Sequence, residues 1–163
     1  TKKCAEDLLI DFCSTFNTKY RILRLCNIIG PNDKNASQKK NAISWLIEQI
    51  IKGNDIPLYN EGNYFRDILH INDTCNAIKL VCDKGATNNI YNIGPGYSTN
   101  IKDLLEKTRD ISNSKSNFIF KDTPLLNKKI RPNKEFFMNV DKLKSLNFRA
   151  EFSTELIIKS FIL

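Results

Sequence analysis

The stretch that most constrains the fold of this sequence is residues 56–82, which combines the signals of a buried strand with those of a helix that follows it directly. Residues 65–71 are mostly apolar over the length of a strand, and residues 72–74, Asn-Asp-Thr, then offer side-chain oxygens that can cap a helix. The apolar residues that follow recur at helical spacing: Ala77, Ile78, Val81 and Cys82. The pattern predicts a strand-to-helix unit with Arg66 at its entrance. A guanidinium fixed there would bind an anion, unless Arg66 forms an ordinary surface ion pair.

Helices and strands alternate along the rest of the chain, which indicates an α/β fold. Apolar positions predict an opening helix that carries Ala5, Leu8, Leu9, Phe12, Cys13 and Phe16 on one face. Further helices are predicted over residues 41–52, 73–84, 100–111, 141–146 and 154–161, and further strands over residues 19–29, near 58, and over 90–93, 118–120 and 136–138. The strand over 19–29 ends at Gly30-Pro31, and the carboxyl end of such a strand is where open α/β sheets bind ligands.

The composition is that of an ordinary globular domain, with 163 residues of which 41% are apolar and 26% are charged. No apolar run approaches the roughly 20 residues that a bilayer-spanning helix needs, so we expect no membrane interaction. The five cysteines are odd in number and lack C-x-x-C spacing, which argues against a disulfide framework and against a zinc site. We therefore expect a cytoplasmic protein without a metal.

The formal charge of +7 favours an anionic partner. Nucleic acid is one such partner, but the lysines are scattered over predicted helices and loops and no nucleic-acid motif accompanies them. A composition rich in Lys, Asn and Ile also explains the excess charge without any function. We therefore expect no nucleic-acid binding.

Four segments, taken together, carry a family resemblance: residues 58–73 (LYNEGNYFRDILHIND), residues 24–31 (RLCNIIGP), residues 90–94 (IYNIG) and the Lys2–Glu6 spacing. They resemble the Leu-Tyr-x-x-Gly-x-x-x-Arg-Asp, Arg-x-x-Asn-x-x-Gly-Pro, Tyr-Asn-Ile-Gly and Ser-Lys-x-x-x-Glu segments of the NAD-dependent nucleotide-sugar epimerases and dehydratases, which are extended short-chain dehydrogenase/reductases. The resemblance extends from Thr1 to about Leu146.

This resemblance implies the C-terminal portion of a Rossmann-type doubly wound sheet together with a small α+β substrate lobe. Residues 1–30 and 71–94 would be the last elements of the NAD(P)-binding domain, and residues 31–70 and 95–163 would form the nucleotide-sugar lobe. The family's catalytic Tyr, four residues before Lys2, would fall before residue 1. The glycine-rich phosphate loop would do the same, since no G-x-x-G-x-x-G occurs in these residues. We therefore expect the back half of an enzyme, inactive as it stands.

Lys2 is the candidate catalytic and cofactor-binding residue. A phenol has an unperturbed pKa of about 10, and a cation one helical turn away would favour the phenolate form. The resemblance further implies that the Lys2 ammonium binds the nicotinamide ribose. The alternative is solvated charge at a chain end, which is how we interpret Lys3.

Seven further residues are assigned on the resemblance. Leu25 and Cys26 would contact the cofactor, Cys26 through its backbone. Substrate-binding roles fall on Asn27, Asn41, Tyr59, Arg66 and Arg131. An amide such as that of Asn27 can serve sugar hydroxyls or a phosphate, and guanidinium groups pair well with phosphate oxygens. The family's Arg-Pro-Gly-Asp is replaced by Arg-Pro-Asn-Lys at residues 131–134.

Three of these candidates also have a simpler interpretation. Asn27 could cap the turn before Gly30, Asn41 could be a plain helix N-cap, and Tyr59 could be a buried strand aromatic. Three neighbouring residues of the same stretch are expected to be structural: His70 within its strand, Asp67 orienting Arg66, and Asp73 capping the helix that follows.

The implied function is transient oxidation of a sugar nucleotide by bound NAD, or NADP, with a UDP-glucose 4-epimerase-like reaction as the first hypothesis. An NDP-sugar 4,6-dehydratase or a UDP-glucuronate decarboxylase-like enzyme is the alternative. An answer of another class is a non-catalytic remnant that binds sugar nucleotides. The resemblance also implies a homodimer through the helix that carries Lys2, with Phe12 and Phe16 either at that interface or facing the chain's own core.

Overall fold

The computed structural model describes residues 1–34, 36–121 and 135–163, so that Arg131 and its neighbours lie outside the described part of the chain. The helices are α1 Lys2–Thr15, α2 Ala42–Ile51, α3 Ile71–Lys84, α4 Ile101–Ile111, α5 Asp141–Lys144 and α6 Thr154–Ser160. The strands are β1 Arg21–Leu25, β2 Asn27–Ile29, β3 Ile56–Tyr59, β4 Phe65–Arg66, β5 Ile68–His70, β6 Asn89–Ile93, β7 Thr99–Asn100 and β8 Phe118–Lys121.

Three of the strand pairs are parallel: β1 with β6, β2 with β5, and β3 with β8. The short strands β4 and β7 pair antiparallel. Parallel strands cannot be joined by a tight turn, and at least one helix lies between the two members of each parallel pair in the sequence. This arrangement is that of an α/β protein, as the alternating pattern predicts.

The single strand predicted over residues 19–29 is in fact two strands that belong to different sheets. β1 pairs with β6 up to Leu25↔Ile93, and the Cys26 N–H still donates to the Ile93 carbonyl oxygen at 2.9 Å. One residue later the Asn27 N–H donates to the Asp67 carbonyl oxygen at 3.1 Å, and β2 then pairs with β5. The chain therefore changes its strand partner between residues 26 and 27, which we call the sheet switch.

Helix α3 begins at Ile71, two residues earlier than predicted, because His70 caps it. The His70 Nδ1 accepts a hydrogen bond from the Asn72 N–H at 3.2 Å. Asp73 was expected to cap this helix, and that expectation is wrong. Its two carboxylate oxygens instead accept the Glu151 and Phe152 backbone N–H groups, each at 3.0 Å.

The buried apolar side chains form two clusters. The larger one lies among α2, β3, α4 and α6 and contains Ile47, Ile50, Ile56, Leu105 and Ile158, among others. The smaller one joins α3, β6 and α5 through residues that include Ala77, Val81, Ile93 and Leu143. Helix α5 therefore packs on elements assigned to the Rossmann portion, although residues 95–163 were assigned to the substrate lobe; the domain boundaries stay a prediction.

Residues 136–138 do not form the strand that their apolar character predicts. Phe136 and Phe137 are exposed, and the Met138 N–H donates to the Asp67 carboxylate at 3.3 Å rather than to a strand partner. Across the described ranges, none of the helices combines the length and the apolar character that a membrane crossing requires.

Candidate functional site

Asn27 and Asp67 meet at the sheet switch. The Asn27 Nδ2 donates to the Asp67 carbonyl oxygen at 3.1 Å and lies 3.5 Å from the Asp67 Oδ1. The Asp67 side chain is only 4% exposed, whereas Asn27 is exposed. The amide of Asn27 is therefore held by the backbone carbonyl oxygen of Asp67, with the buried carboxylate as a second, longer contact, and it does not act as a simple turn cap before Gly30.

Gly94, directly after β6, packs against the Asn27–Asp67 contact region from another side. A Cβ placed on Gly94 would lie 3.5 Å from the Cys26 Cβ, 3.5 Å from the Met138 Cε and 3.6 Å from the Asp67 Oδ2. Gly94, Cys26, Asp67 and Met138 are thus mutual neighbours. The sequence segments RLCN, RD and YNIG, far apart along the chain, thus meet in space at one point where the strands β1, β4 and β6 end.

Cys26 is partly buried beside Asp67, and burial raises the pKa of its thiol to about 12, with the negative charge of Asp67 as the second cause. The thiol therefore stays protonated at neutral pH and is a poor nucleophile. Because its N–H already donates to Ile93, a backbone contact of Cys26 with a cofactor would have to use its carbonyl oxygen. Leu25, at the carboxyl end of β1, exposes 45% of its surface.

The first two lysines of helix α1 differ in whether they have an ion-pair partner. Lys3 forms an ion pair with Asp7, one turn along the helix. Lys2 is exposed and makes no hydrogen bond or ion pair with any residue in the described ranges. The ammonium group of Lys2 is thus available to a ligand, whereas that of Lys3 is engaged.

Glu6 ties α1 to β1. The Arg24 guanidinium donates from Nε to the Glu6 Oε1 at 2.9 Å and from Nη2 to Oε2 at 2.6 Å. These hydrogen bonds from Arg24 are the main reason that the pKa of Glu6 lies below its usual value. The two outer members of the sequence pattern, Lys2-x-x-x-Glu6 and Arg24-x-x-Asn27, are therefore joined by a bidentate pair.

Arg66 lies on the exposed side of β4, above the ring of Tyr64. Its Cζ is 5.4 Å from the ring centroid, and its Nη1 donates to the Phe65 carbonyl oxygen at 2.7 Å. Tyr64 is half-buried, and burial raises the pKa of its hydroxyl. The expectation that Asp67 orients Arg66 is wrong, because the Asp67 carboxylate faces Asn27 and Met138 instead.

Asn41 lies just before α2, in the left-handed region at φ 48°, and its side chain makes no capping hydrogen bond to the described first turn of α2. Its Nδ2 donates to the Asp33 Oδ2 at 2.8 Å. Asn41 and Asp33 line a pocket of about 170 Å³ with residues of the β2 end, among them Ile29 and Gly30. The plain N-cap interpretation of Asn41 is therefore wrong, and the residue faces the end of the strand that Asn27 begins.

Tyr59 is the last residue of β3 and pairs in register with Lys121 of β8. It is 45% exposed, so it is not the buried strand aromatic of the simpler interpretation. Arg131 lies outside the described residues, and its role stays a prediction. The structure thus brings Cys26, Asn27 and Asp67 together and places Arg66 next to them in the chain, while it leaves Tyr59 at a different strand end.

The apolar face of α1 is open. Leu8, Phe12 and Phe16 are exposed, and the rings of Phe12 and Phe16 lie 4.5 Å apart by their centroids. Only Cys13 of this helix is buried. Of the two alternatives for Phe12 and Phe16, packing in the chain's own core is therefore not what the structure shows.

The sequence of residues 1–94 matches the model of the NAD dependent epimerase/dehydratase family, which is more than half of the chain. The chain belongs to the NAD-dependent epimerase/dehydratase family. Membership confirms the family that the four segments resemble and the cofactor class that they imply, since NAD dependence is part of the family's description.

Curated relatives of the family include sugar-nucleotide enzymes. The chain is 24% identical over 156 residues to the low-salt glycan biosynthesis protein Agl12 of Haloferax volcanii, which covers 95% of the chain and 47% of that protein. It is 28% identical over 105 residues to a dTDP-glucose 4,6-dehydratase of an Actinoplanes species, over 64% of the chain and 32% of the relative. The chain thus spans at most about half the length of these relatives.

Solved structures of the family share the fold. A UDP-glucose 4-epimerase of Thermotoga maritima, solved with UDP-glucose, matches with a TM-score of 0.79 at 22% identity, over 98% of this chain and 51% of that one. A dTDP-glucose 4,6-dehydratase of Bacillus anthracis, solved with NAD, matches with a TM-score of 0.75 at 20% identity, over 97% and 48%. These similarities confirm the predicted Rossmann-type α/β fold.

The family cofactor can be tested against the residues present. The ammonium of Lys2, which has no partner among the residues that the structure describes, suits the hydroxyl groups of a ribose, and the exposed apolar surface of Leu25 at a strand's carboxyl end suits a flat ring. Both features fit the nicotinamide end of NAD. In the described ranges, no group of three or more His, Cys, Asp or Glu side chains is placed to hold a metal.

Sequence reasoning assigned no role to Tyr64. Its ring lies under Arg66, with the centroid 5.4 Å from the Arg66 Cζ, and its position two residues before Arg66 was the available signal. Asp67 was recognised but given the wrong partner. Its actual partners, Asn27 and Met138, are 40 and 71 residues away in the sequence, and no local pattern indicates them.

Proposed function

We propose that this chain supplies the nucleotide-sugar side of an NAD-dependent enzyme that transiently oxidises its sugar, and that the reaction is an epimerisation like that of UDP-glucose 4-epimerase. The observation that carries the proposal is the hydrogen-bonded contact of Asn27 with Asp67. It brings the Arg-x-x-Asn segment and the Arg-Asp segment side by side at the sheet switch, directly after the carboxyl end of β1, and ligands of open α/β sheets bind outside the carboxyl ends of strands.

Bound NAD would supply hydride chemistry. The chain's own residues would do the rest. The Lys2 ammonium would hold the nicotinamide ribose and lower the pKa of a neighbouring phenol, since a nearby positive charge stabilises the phenolate. The Glu6–Arg24 pair would fix α1, and with it Lys2, against the carboxyl half of β1.

Arg66 and Asn41 would bind the diphosphate. Arg66 is exposed, and its guanidinium is stiffened by the Tyr64 ring and by its bond to the Phe65 carbonyl oxygen, so little freedom is lost on binding. Asn41 lines the pocket at the carboxyl end of β2 from the start of α2, where helix N–H groups favour an anion. Tyr59 and Arg131 are proposed as further substrate contacts on the family pattern alone.

A 4,6-dehydratase is the second candidate, and the curated dTDP-glucose 4,6-dehydratase relatives favour it. A decarboxylation of a UDP-glucuronate is a third outcome of the same transient ketone. A non-catalytic sugar-nucleotide binder is the candidate of another class. All of these share the binding residues named above and differ in what happens to the ketone.

The test is a ligand screen of the protein that contains this chain, in its full encoded length, against UDP-, dTDP-, GDP- and CDP-sugars. Product identity distinguishes epimer, 4-keto-6-deoxy sugar and pentose, and the absorbance of reduced nicotinamide follows the oxidation step. Binding without turnover would support the non-catalytic candidate. No binding of any sugar nucleotide would refute the proposal.

A matched pair of variants tests the role of Lys2. Lys2→Met should lower kcat about 100-fold, the scale of a lost acid–base contribution. Lys3→Met is the control, because Lys3 lies on the same helix but is paired with Asp7. Equal effects of the two substitutions would show that the charge of the helix end matters and not the position of Lys2.

We also propose a homodimer that covers the open face of α1, with Phe12 and Phe16 at its centre. Both rings are exposed and in contact with each other, so they offer one continuous apolar surface. A Phe12→Asp, Phe16→Asp double variant should then lower the oligomeric mass seen by light scattering, and an unchanged mass would contradict the proposal.

A further inference from the structure

The Asn27 side-chain amide donates through its nitrogen to Asp67, whereas its oxygen accepts no hydrogen bond from the described residues. The amide Nδ2 is 3.1 Å from the Asp67 carbonyl oxygen and 3.5 Å from the Asp67 Oδ1. Neither oxygen can donate, because one is a backbone carbonyl and the other belongs to a carboxylate. The side-chain atom that faces them must therefore be the nitrogen, and the orientation of the amide is fixed by chemistry.

The unused hydrogen-bond acceptor of Asn27, its Oδ1, indicates what kind of ligand group it can bind. Nδ2 has two hydrogens, and both directions towards Asp67 are used. The Oδ1 of Asn27 has no hydrogen-bond partner among the residues that the structure describes, and Asn27 is exposed. An amide oxygen accepts hydrogen bonds only. It can bind a hydroxyl or an N–H hydrogen, but it repels a phosphate oxygen.

The Asp67 side chain is itself fixed in the position from which it contacts the Asn27 amide. Its side chain is 4% exposed and lies between the Gly94 end of β6 and the segment at Met138, whose N–H donates to Oδ2 at 3.3 Å. One oxygen of the carboxylate is thus anchored by the backbone, and the other faces Asn27. Its charge also raises the pKa of the neighbouring Cys26 thiol, as expected of an ionised neighbour.

We propose that Asp67 is a positioning residue that turns Asn27 into a hydroxyl selector, so that the Asn27 Oδ1 accepts a hydrogen bond from a hydroxyl of the sugar and not from the diphosphate region. This inference rests on the proposed function and names the part of the substrate that Asn27 reads. Asp67 touches no substrate in this role and acts through Asn27.

The probes are UDP-glucose and dTDP-glucose with their monodeoxyfluoro analogues, in which one sugar hydroxyl at a time is replaced by fluorine. Fluorine keeps the size and polarity but cannot donate a hydrogen bond. In the wild-type protein of full encoded length, one analogue should bind about tenfold more weakly than its parent, the scale of one lost hydrogen bond in a site.

Asp67→Asn is the deciding variant. An amide at position 67 must turn its oxygen towards the Met138 N–H, so that its nitrogen faces the Asn27 nitrogen. Asn27 then keeps only its bond to the backbone carbonyl oxygen of residue 67, and its amide can tilt away from the orientation that the carboxylate sets. The ratio of analogue to parent affinity should fall well below tenfold. Removal of a negative charge would by itself favour an anionic ligand, so weaker binding of the parent could not be a charge effect.

Asp73→Asn is the matched control. Asp73 is also a buried acid, 1% exposed, and it accepts two backbone N–H groups far along the chain from Asn27. This variant should keep the tenfold ratio even where it lowers the melting temperature, since a merely structural effect does not choose among sugar hydroxyls.

Three results would overturn the inference. One is that every analogue binds the wild-type protein as tightly as its parent. Another is that the analogue discrimination survives unchanged in Asp67→Asn. The third is that Asp73→Asn abolishes it equally. If the wild-type protein binds neither parent sugar nucleotide, the proposed function fails and the inference falls with it, which is a different outcome from tight parent binding without discrimination.

Discussion

Two buried aspartates six residues apart, Asp67 and Asp73, serve different ends. Asp73 accepts two backbone N–H groups at 3.0 Å each and lies in a closed region where the His70 ring stacks on Phe152 with centroids 3.8 Å apart. Asp67 accepts one backbone N–H at 3.3 Å and holds a side chain that reaches the surface. We call the first region the C-terminal clasp, formed by His70, Asp73, Phe152 and Ser160.

The comparison teaches how to separate structural from functional polar groups in this chain. In the clasp, the Asp73 carboxylate meets fixed backbone donors, and the His70 ring bonds to the Asn72 N–H and lies 3.2 Å from the Ser160 Oγ. At the sheet switch, Asp67 accepts hydrogen bonds from the Asn27 amide. The Asn27 Oδ1 has no partner among the described residues and is free to accept a hydrogen bond from a ligand. Buried polar groups that are fully paired stabilise a fold, and a group with a spare acceptor at the surface is suited to bind.

The largest expected effect is on the clasp. Asp73→Ala should lower the free energy of unfolding by about 3 kcal/mol, because it leaves two backbone N–H groups without their charged acceptor. Urea denaturation measures it. Asp83→Ala, at an exposed position of the same helix α3, is the control and should change the stability by less than about 0.5 kcal/mol. A loss at Asp73 no larger than that at Asp83 would mean that the clasp is not a stabilising contact.

The next effect should fall on binding alone. Arg66→Ala should weaken sugar-nucleotide binding about 30-fold, since a hydrogen bond to a charged group contributes about 2 kcal/mol, with little change in the melting temperature because Arg66 is exposed. Arg109→Ala is the matched control, as its guanidinium also lies over a ring, that of Phe118, at 4.7 Å. Titration calorimetry gives both affinities. Equal losses would erase the distinction between a site arginine and a packing arginine.

A smaller effect should appear with pH. Burial lowers the pKa of His70 from 6.5, and the charge of Asp73 opposes the shift without cancelling it. The folded protein therefore prefers neutral His70, so this contribution to stability is complete above pH 6.5 and is lost as the pH falls from 6.5 through the lowered pKa. Protonation would also place a hydrogen on Nδ1, facing the Asn72 N–H.

The chain has one histidine, so a single imidazole NMR titration reports this pKa directly. His70→Asn removes the titration but keeps an acceptor at the N-cap position, and its melting temperature should fall less on acidification than that of the wild type. An imidazole that titrates above 6.5 would reverse the sign and refute the expectation.

The smallest effect concerns another buried polar side chain, Ser44 in α2. Its hydroxyl is fully buried and has no hydrogen-bond partner among the described residues. Ser44→Ala should therefore stabilise the protein, by up to about 1 kcal/mol, and should leave ligand binding unchanged. Thermal denaturation with a calorimetric check suffices, and a destabilised variant would indicate that the hydroxyl has a partner after all.

Much of the fold follows from local sequence signals. The bounds of α2 and α4 lie within one residue of the predicted ones, because apolar spacing and terminal signals such as Gly53 after α2 and Asn100 before α4 act over a few residues. The division of residues 19–29 into two strands was not predictable, because it depends on partners at residues 67 and 93. Periodicity describes which side chains are apolar and says nothing about which strand lies alongside.

The site divides in the same way. Asn27 and Arg66 follow from motif positions, and their substrate-binding roles stay predictions; the structure places Asn27 beside Asp67, the residue that follows Arg66. The structural roles of three polar residues depend on hydrogen bonds to residues far away in sequence: His70, Asp67 and Asp73. The Glu151 N–H, for example, donates to Asp73 across 78 residues. A local sequence pattern can indicate that these polar residues lie among apolar ones, but it cannot identify their hydrogen-bond partners.

The sheet switch leaves the chain no tolerance for a change of length. Along an extended strand, alternate side chains face opposite sides, so one residue inserted after Cys26 would rotate all of β2 by half a turn. Ile29, which is 1% exposed, would then turn from the core to the opposite face of the sheet, and the Asn27 side chain, two residues away on the same face, would turn away from Asp67. A single inserted codon at this peptide should therefore abolish folding and ligand recognition together.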